Sequence, residues 1–158
     1  MIYTKKRYTL CIALIIANLL FIWGNSLLPS EASAAFSKLV GTIIDWLIPG
    51  PMKPSEGEGH GILRKIAHFT EFCTLGMLLS WLVRMTCGKK WQYFLLPLVT
   101  GVAAASIDET IQLFVPGRGP HIRDVGIDSF GVLMGIAILS GIALWKARHK
   151  IKQFTGGV

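Results

Sequence analysis

Four stretches, each of about twenty mostly apolar residues, constrain this chain more than any other feature of its sequence. They cover residues 10–28, 66–85, 93–115 and 125–145. A helix needs about 20 such residues to cross the hydrocarbon core of a bilayer, which is roughly 30 Å thick. Charged residues make up only 16% of the chain, against about 25% in an ordinary soluble domain. The sequence therefore predicts an all-α integral membrane protein, a four-transmembrane-helix bundle formed by residues 1–158 as one domain.

The long connection between the first and second spans contains an amphipathic segment at about 31–48. Its apolar residues recur at the spacing of one helical face: Phe36, Leu39, Val40, Ile43, Ile44 and Leu47. Lys38 and Asp45 make a fifth crossing unfavourable, and the proline-rich sequence at 49–51 ends the helix. We therefore expect an extracytoplasmic interfacial helix between the first two spans.

The distribution of charge predicts how the chain is oriented. Four spans place both termini on the same side, and ten of the sixteen Lys and Arg residues fall on that side. Cytoplasmic segments of membrane proteins carry the excess of basic residues, so both termini are expected in the cytoplasm. The net charge of +7 is then explained by topology and by contact with anionic lipids, and nucleic acid is not an expected partner.

Polar residues gather at the predicted outer ends of all four spans. A charge facing lipid at that depth costs on the order of 2–3 kcal/mol, so these side chains should face one another or a water-filled pocket. One alternative is an ion-pair network that only locks the helices together, with Lys65, His68 and nearby arginines neutralising the acids. The residues concerned are Ser26 on the first span; Lys65, His68 and Glu71 on the second; Asp108, Glu109 and Gln112 on the third; and Asp124 and Asp128 on the fourth.

The connection between the third and fourth spans, at 115–120, is rich in proline and glycine and predicts a tight turn. It would hold Arg118 and Arg123 over the mouth of the pocket. Arginine is suited to bidentate capture of phosphate or carboxylate, although either residue would serve equally well as an anchor for lipid headgroups. Gly131 and Gly135, in the fourth span, have the small-xxx-small spacing that permits close helix contact, and we expect that contact within the chain.

These motifs resemble those of the VanZ-like family of small bacterial membrane proteins. The matching sequences are SxxP at 26–29, KxxHFxEF at 65–72, DExxQ at 108–112, PGR at 116–118 and DxxxDxxG at 124–131. Asp128 departs from the family pattern, which more often has asparagine there. The resemblance implies a multi-pass protein of the bacterial cytoplasmic membrane and a link to antibiotic resistance, chiefly tolerance of teicoplanin-type lipoglycopeptides.

Two functions compete for the predicted pocket. In the first, it binds a lipid-linked cell-wall precursor, a teichoic-acid lipid or the lipoglycopeptide itself, and membrane lipids surround the bundle. The expected ligand-binding residues are Ser26, Lys65, Gln112, Arg118, Arg123, Asp124 and Asp128.

In the second, the protein is an intramembrane enzyme that modifies an envelope lipid. His68 would act as general acid or base, oriented by Glu71 or Asp108. Alternatively, Glu71 or Asp108 could hold a divalent cation together with Glu109, Asp124 and Asp128. Nucleophile motifs such as GxSxG are absent from the sequence. A scaffold or transporter subunit is a third interpretation, and the sequence leaves the oligomeric state open.

Overall fold

The computed structural model describes residues 2–29, 31–32, 35, 42, 58–118 and 122–155. Within these ranges the chain forms four long helices and no strand: α1 (Ile2–Ser26), α2 (Glu58–Thr86), α3 (Gln92–Gln112) and α4 (Ile122–Thr155). All four are long and apolar enough to cross a membrane, over Lys5–Ser26, Arg64–Thr86, Gln92–Gln112 and Ile122–Lys150. The prediction of a helical fold with four helices long and apolar enough to span a membrane is confirmed for the described residues. The predicted interfacial helix at about 31–48 falls, apart from four positions, outside the described residues.

The surface of the bundle is apolar and part of its interior is charged. Leu20, Phe130 and Trp145 are each more than half exposed, whereas Asp108 and Asp128 are almost fully buried. A soluble protein would distribute these residues the other way round. The arrangement fits a molecule whose middle is surrounded by hydrocarbon.

Successive helices run in opposite directions. The later parts of α1 and α3 lie together, because the Trp23 indole is 3.5 Å from the Ala104 carbonyl. The later parts of α2 and α4 lie together near the other end, where Arg84 donates a hydrogen bond of 2.7 Å to Ser140. We call the end at which α1 and α3 end and α2 and α4 begin the acidic end, and the opposite one the basic end. Both terminal segments, at the start of α1 and the end of α4, lie at the basic end.

Close contact between α2 and α4 organises the bundle. A methyl group added at Gly131 would lie 2.6 Å from the Phe69 carbonyl oxygen, and one at Gly135 would collide with the Cys73 carbonyl. The two glycines therefore let the α4 backbone lie directly on α2, which confirms that this motif packs within the chain. Apolar side chains from all four helices complete the core, including Ile22, Phe72, Leu75, Ala105, Val132 and Ile136.

The tight turn predicted after the third helix forms at residues 115–118. The Arg118 amide donates to the Val115 carbonyl at 3.2 Å, and Gly117 has a φ of 75°. Proline at the second position and a positive-φ glycine at the third are the pattern of a type II turn. The helix α3 ends at Gln112, before the predicted end near residue 115.

Candidate functional site

Two buried aspartates and a partly buried histidine, from three helices, meet near the acidic end. His68 of α2 places its Nδ1 atom 3.7 Å from Asp108 Oδ2 of α3 and 3.8 Å from Asp128 Oδ1 of α4. The relative exposures of Asp108 and Asp128 are 0% and 1%. At about 1.5 Å per residue, the two aspartates lie roughly 6 and 9 Å inside the ends of their helices. We call these three residues the His68 triad.

The triad lies beside a small hollow that opens at the acidic end. The empty space of about 240 Å³ in and in front of the hollow is mostly open to solvent, and its enclosed part holds about one water molecule. Arg64 and Asp124 form an ion pair of 3.6 Å in its wall, and their side chains are 33% and 20% exposed. Its mouth is therefore more accessible to solvent than its floor. The residues that line it are Arg64, Lys65, His68, Glu109, Gln112, Asp124, Ile127 and Asp128.

Gln112 connects the triad to the end of α1. Its Nε2 donates to Asp108 Oδ2 at 2.9 Å and to the Ser26 hydroxyl at 3.4 Å, and Gln112 and Ser26 are both buried. Asp108 Oδ1 and both oxygens of Asp128 accept no hydrogen bond from any residue that the structure describes. Buried carboxylate oxygens are rarely left in this state, so they are available to a proton, a hydrogen-bond donor or a cation.

The two glutamates of the predicted cluster occupy different positions. Glu109 is buried and lines the hollow. Glu71 is one helical turn deeper than His68 and does not line it; its Oε1 accepts a hydrogen bond of 3.1 Å from the Asn25 side chain. Glu71 thus joins α2 to α1.

The two arginines expected above the mouth also differ. Arg118 donates from Nη2 to the Asn25 carbonyl at 3.2 Å, and its buried Nε and Nη1 have no partner among the described residues. Burial and the nearby positive charge of Arg64 lower the pKa of Arg118, whereas Asp108 and Glu109 raise it. Arg123 is exposed, and neither arginine is among the residues that line the hollow.

Sequence reasoning missed three residues of this region: Arg64, Asn25 and Ile127. Arg64 precedes His68 by four positions and Glu71 by seven, so helical spacing could have placed it on the same face. Asn25 was visible only as a polar residue next to Ser26. Ile127 had no sequence feature that distinguished it from other apolar residues of its helix.

A comparison with protein families identifies the chain. The family model described as VanZ/LLP1 matches residues 8–145. This chain belongs to the VanZ/LLP1 family. The matched range contains the His68 triad, every residue that lines the hollow and the turn at 115–118, so the family resemblance predicted from the motifs is confirmed. No curated protein and no solved structure matches the chain.

Proposed function

We propose that this VanZ/LLP1 protein binds the phosphate- or carboxylate-bearing headgroup of a lipid-linked envelope component in the hollow. Binding there would reduce the access of teicoplanin-type lipoglycopeptides to their target and so contribute to tolerance of these drugs. One observation carries the proposal: a hollow lined by charged side chains from three helices opens at one end of a membrane-spanning bundle.

The cations at the mouth support an anionic headgroup. Arg64 and Lys65 line the hollow, and at 3.6 Å the Arg64–Asp124 pair is longer than a typical charged hydrogen bond of about 2.7–2.9 Å. The Arg64 guanidinium therefore retains capacity for an oxyanion. Arg118 lies outside the lining of the hollow, and its two unpartnered nitrogen atoms, Nε and Nη1, are buried.

The apolar surface near the mouth supports a lipid tail. Ile66, Phe114 and Ile122 lie close to the acidic end of their elements, and 53%, 83% and 89% of their surfaces are exposed. An acyl or polyprenyl chain can lie against such side chains while its headgroup occupies the hollow. Because the acidic end has the smaller share of basic residues, the positive-inside rule assigns it to the extracytoplasmic face.

The test is direct binding by the purified full chain in nanodiscs. We expect an undecaprenyl-linked precursor or lipoteichoic acid to be retained. Arg64→Gln should weaken retention by about tenfold to a hundredfold, because one charged hydrogen bond contributes about 1.5–3 kcal/mol. Arg148→Gln is the matched control, since Arg148 is exposed at the basic end. Separate incubations with teicoplanin distinguish the drug from the envelope lipid as ligand.

Equal binding by wild type and Arg64→Gln would contradict the proposal, as would retention of the lipid by empty nanodiscs.

A cellular experiment tests whether the hollow contributes to drug tolerance. His68→Ala, Asp108→Asn and Asp124→Asn should each lower the teicoplanin concentration that the producing cells tolerate, at unchanged abundance in the membrane. Unchanged tolerance of teicoplanin in all three variants would contradict a role of the hollow in drug tolerance.

The second candidate is an intramembrane enzyme that modifies the same lipid. The observation that favours it is the His68 imidazole lying between two carboxylates, an arrangement that can orient a general acid or base. Mass spectrometry of the incubated lipid separates the candidates. A product of changed mass supports the enzyme, whereas retention of unchanged lipid supports binding.

A further inference from the structure

We propose that the His68 triad binds one divalent cation at the floor of the hollow. The ligand atoms would be His68 Nδ1, one oxygen of Asp108 and one oxygen of Asp128. This site is distinct from the headgroup contacts at the mouth, and it is inferred from the triad's geometry independently of the lipid proposal.

The spacing of the three side chains suits a single ion. One candidate ligand atom from each residue can be chosen so that all three lie within 4.8 Å of one another. Metal–ligand bonds of about 2.0–2.2 Å place two ligands of one tetrahedral ion about 3.4 Å apart. The distances from Nδ1 to the two carboxylates, 3.7 and 3.8 Å, are within a few tenths of an ångström of that value. They are too long for hydrogen bonds.

The unpartnered oxygens provide a second and independent observation. Asp128 is 1% exposed, yet neither of its oxygens accepts a hydrogen bond within the described part of the chain. Asp108 Oδ1 accepts none there either. Two carboxylates buried this way are stabilised either by protonation or by compensating positive charge. A doubly charged ion between them would compensate both at once.

A supporting hydrogen bond already orients one of the ligands. Gln112 Nε2 donates to Asp108 Oδ2, the same oxygen that lies 3.7 Å from His68 Nδ1. Metal-binding carboxylates are commonly held by such neighbouring donors, which fix their direction. Gln112 is itself 3% exposed and donates to Ser26, so the orientation of its own side chain is also fixed.

The ligand chemistry narrows the choice of ion. Mg²⁺ and Ca²⁺ favour sites made wholly of oxygen, while an imidazole nitrogen beside carboxylates suits a first-row transition ion. We therefore expect Mn²⁺ or Zn²⁺. Three protein ligands leave at least one coordination position open, as in catalytic rather than structural metal sites. Because His68 and Asp128 line the hollow, that position faces it and could take a headgroup oxygen; this last step rests on the proposed function.

The experiment titrates the metal alone into the purified full chain, stripped of metal, in detergent micelles. We expect one Mn²⁺ or Zn²⁺ per chain by calorimetry and elemental analysis. Pulsed electron paramagnetic resonance of bound Mn²⁺ should show coupling to a histidine nitrogen. Asp128→Asn and His68→Gln should each weaken binding by about tenfold or more, and His68→Gln should abolish the nitrogen coupling.

Glu71→Gln is the comparison variant, because it removes a carboxylate from the same helix as His68 but outside the hollow. It should leave metal affinity within about threefold of the wild type, since only long-range charge changes. Absence of stoichiometric binding by the wild type would overturn the site. So would unchanged binding by His68→Gln, even if Asp128→Asn failed to fold.

The outcomes also separate this site from the lipid proposal. Metal binding without retention of any envelope lipid would reject the proposed function alone. Lipid retention that persists unchanged in a chelator, with no metal bound to the purified chain, would reject the cation site alone.

Discussion

Among the buried polar residues near the acidic end, some connect helices and others have spare capacity to bind. Asn25 and Glu71 belong to the first group, because one hydrogen bond of 3.1 Å joins their side chains across α1 and α2. Asp128 belongs to the second, because the described residues supply it with no hydrogen bond. The difference is one of degree, because Glu71 Oε2 is also buried without a hydrogen bond among the described residues.

Asn25→Ala should destabilise the protein without affecting metal binding. It removes the donor to Glu71 Oε1 and leaves a buried carboxylate with fewer partners, which costs about 1–3 kcal/mol in the free energy of unfolding. Unfolding in mixed micelles at increasing SDS concentration, followed by circular dichroism, measures the loss.

A double-mutant cycle with Glu71→Ala, which removes the acceptor of this hydrogen bond, supplies the control for that prediction. If the two side chains stabilise each other, the double variant should lose less stability than the sum of the single variants. Strict additivity would show that the contact contributes nothing.

At the scale of the helices, the glycines of α4 set how closely α2 and α4 approach. The α4 backbone lies on the stretch of α2 from Phe69 to Met77, where Gly131 and Gly135 leave no room for a methyl group. His68 is one residue before this stretch, and Asp128 is three residues before Gly131. The close approach therefore also fixes the distance between these two members of the His68 triad.

Gly135→Ala should destabilise the bundle and weaken metal binding together. The added methyl would collide with the Cys73 carbonyl, and since backbone cannot rotate away as a side chain can, the helices must separate. Overpacking of this kind typically costs about 1–3 kcal/mol. Thermal unfolding and Mn²⁺ titration of the same sample measure both effects.

Gly141→Ala is the matched control on the same helix. A methyl group there meets nothing within 4 Å, and alanine favours a helix by about 1 kcal/mol over glycine. We expect stability equal to or above that of the wild type. A loss as large as that of Gly135→Ala would mean that glycine matters for flexibility of α4 rather than for contact with α2.

At the scale of the whole molecule, charge is distributed unevenly along the bundle axis, with the buried carboxylates and a minority of the bases at one end. Glu71, Asp108, Glu109, Asp124 and Asp128 all lie towards the acidic end, whereas Arg84 and the basic terminal segments lie at the other. Apolar side chains cover the surface between them. The positive-inside rule predicts membrane orientation from the greater number of Lys and Arg residues at the basic end.

Reporter fusions at the two termini should both report a cytoplasmic location. The ten basic residues on that side are expected to hold it in the cytoplasm during insertion. A fluorescent protein that folds only in the cytoplasm and a phosphatase active only outside it give opposite readouts. Phosphatase activity from either terminus would reverse the orientation and place the hollow on the cytoplasmic face.

The sequence by itself determined the four spans, the accumulation of acids at one end and the turn at 115–118. Each of these depends on residues close together in the chain: a run of about twenty apolar residues for a span, helical spacing for a shared face, and Pro116 followed by Gly117 for the turn. The family motifs are equally local.

Only the tertiary structure decided which residues share the hollow. Helical spacing predicted Glu71 beside His68, and the turn predicted Arg118 over the mouth. In the structure Glu71 contacts Asn25 of α1, and Arg118 donates to the same end of that helix. Arg64 instead lies in the wall of the hollow. The reason is that each helix's rotation about its own axis is set by packing between helices, above all where Gly131 and Gly135 meet α2. No sequence pattern within a single helix specifies that rotation.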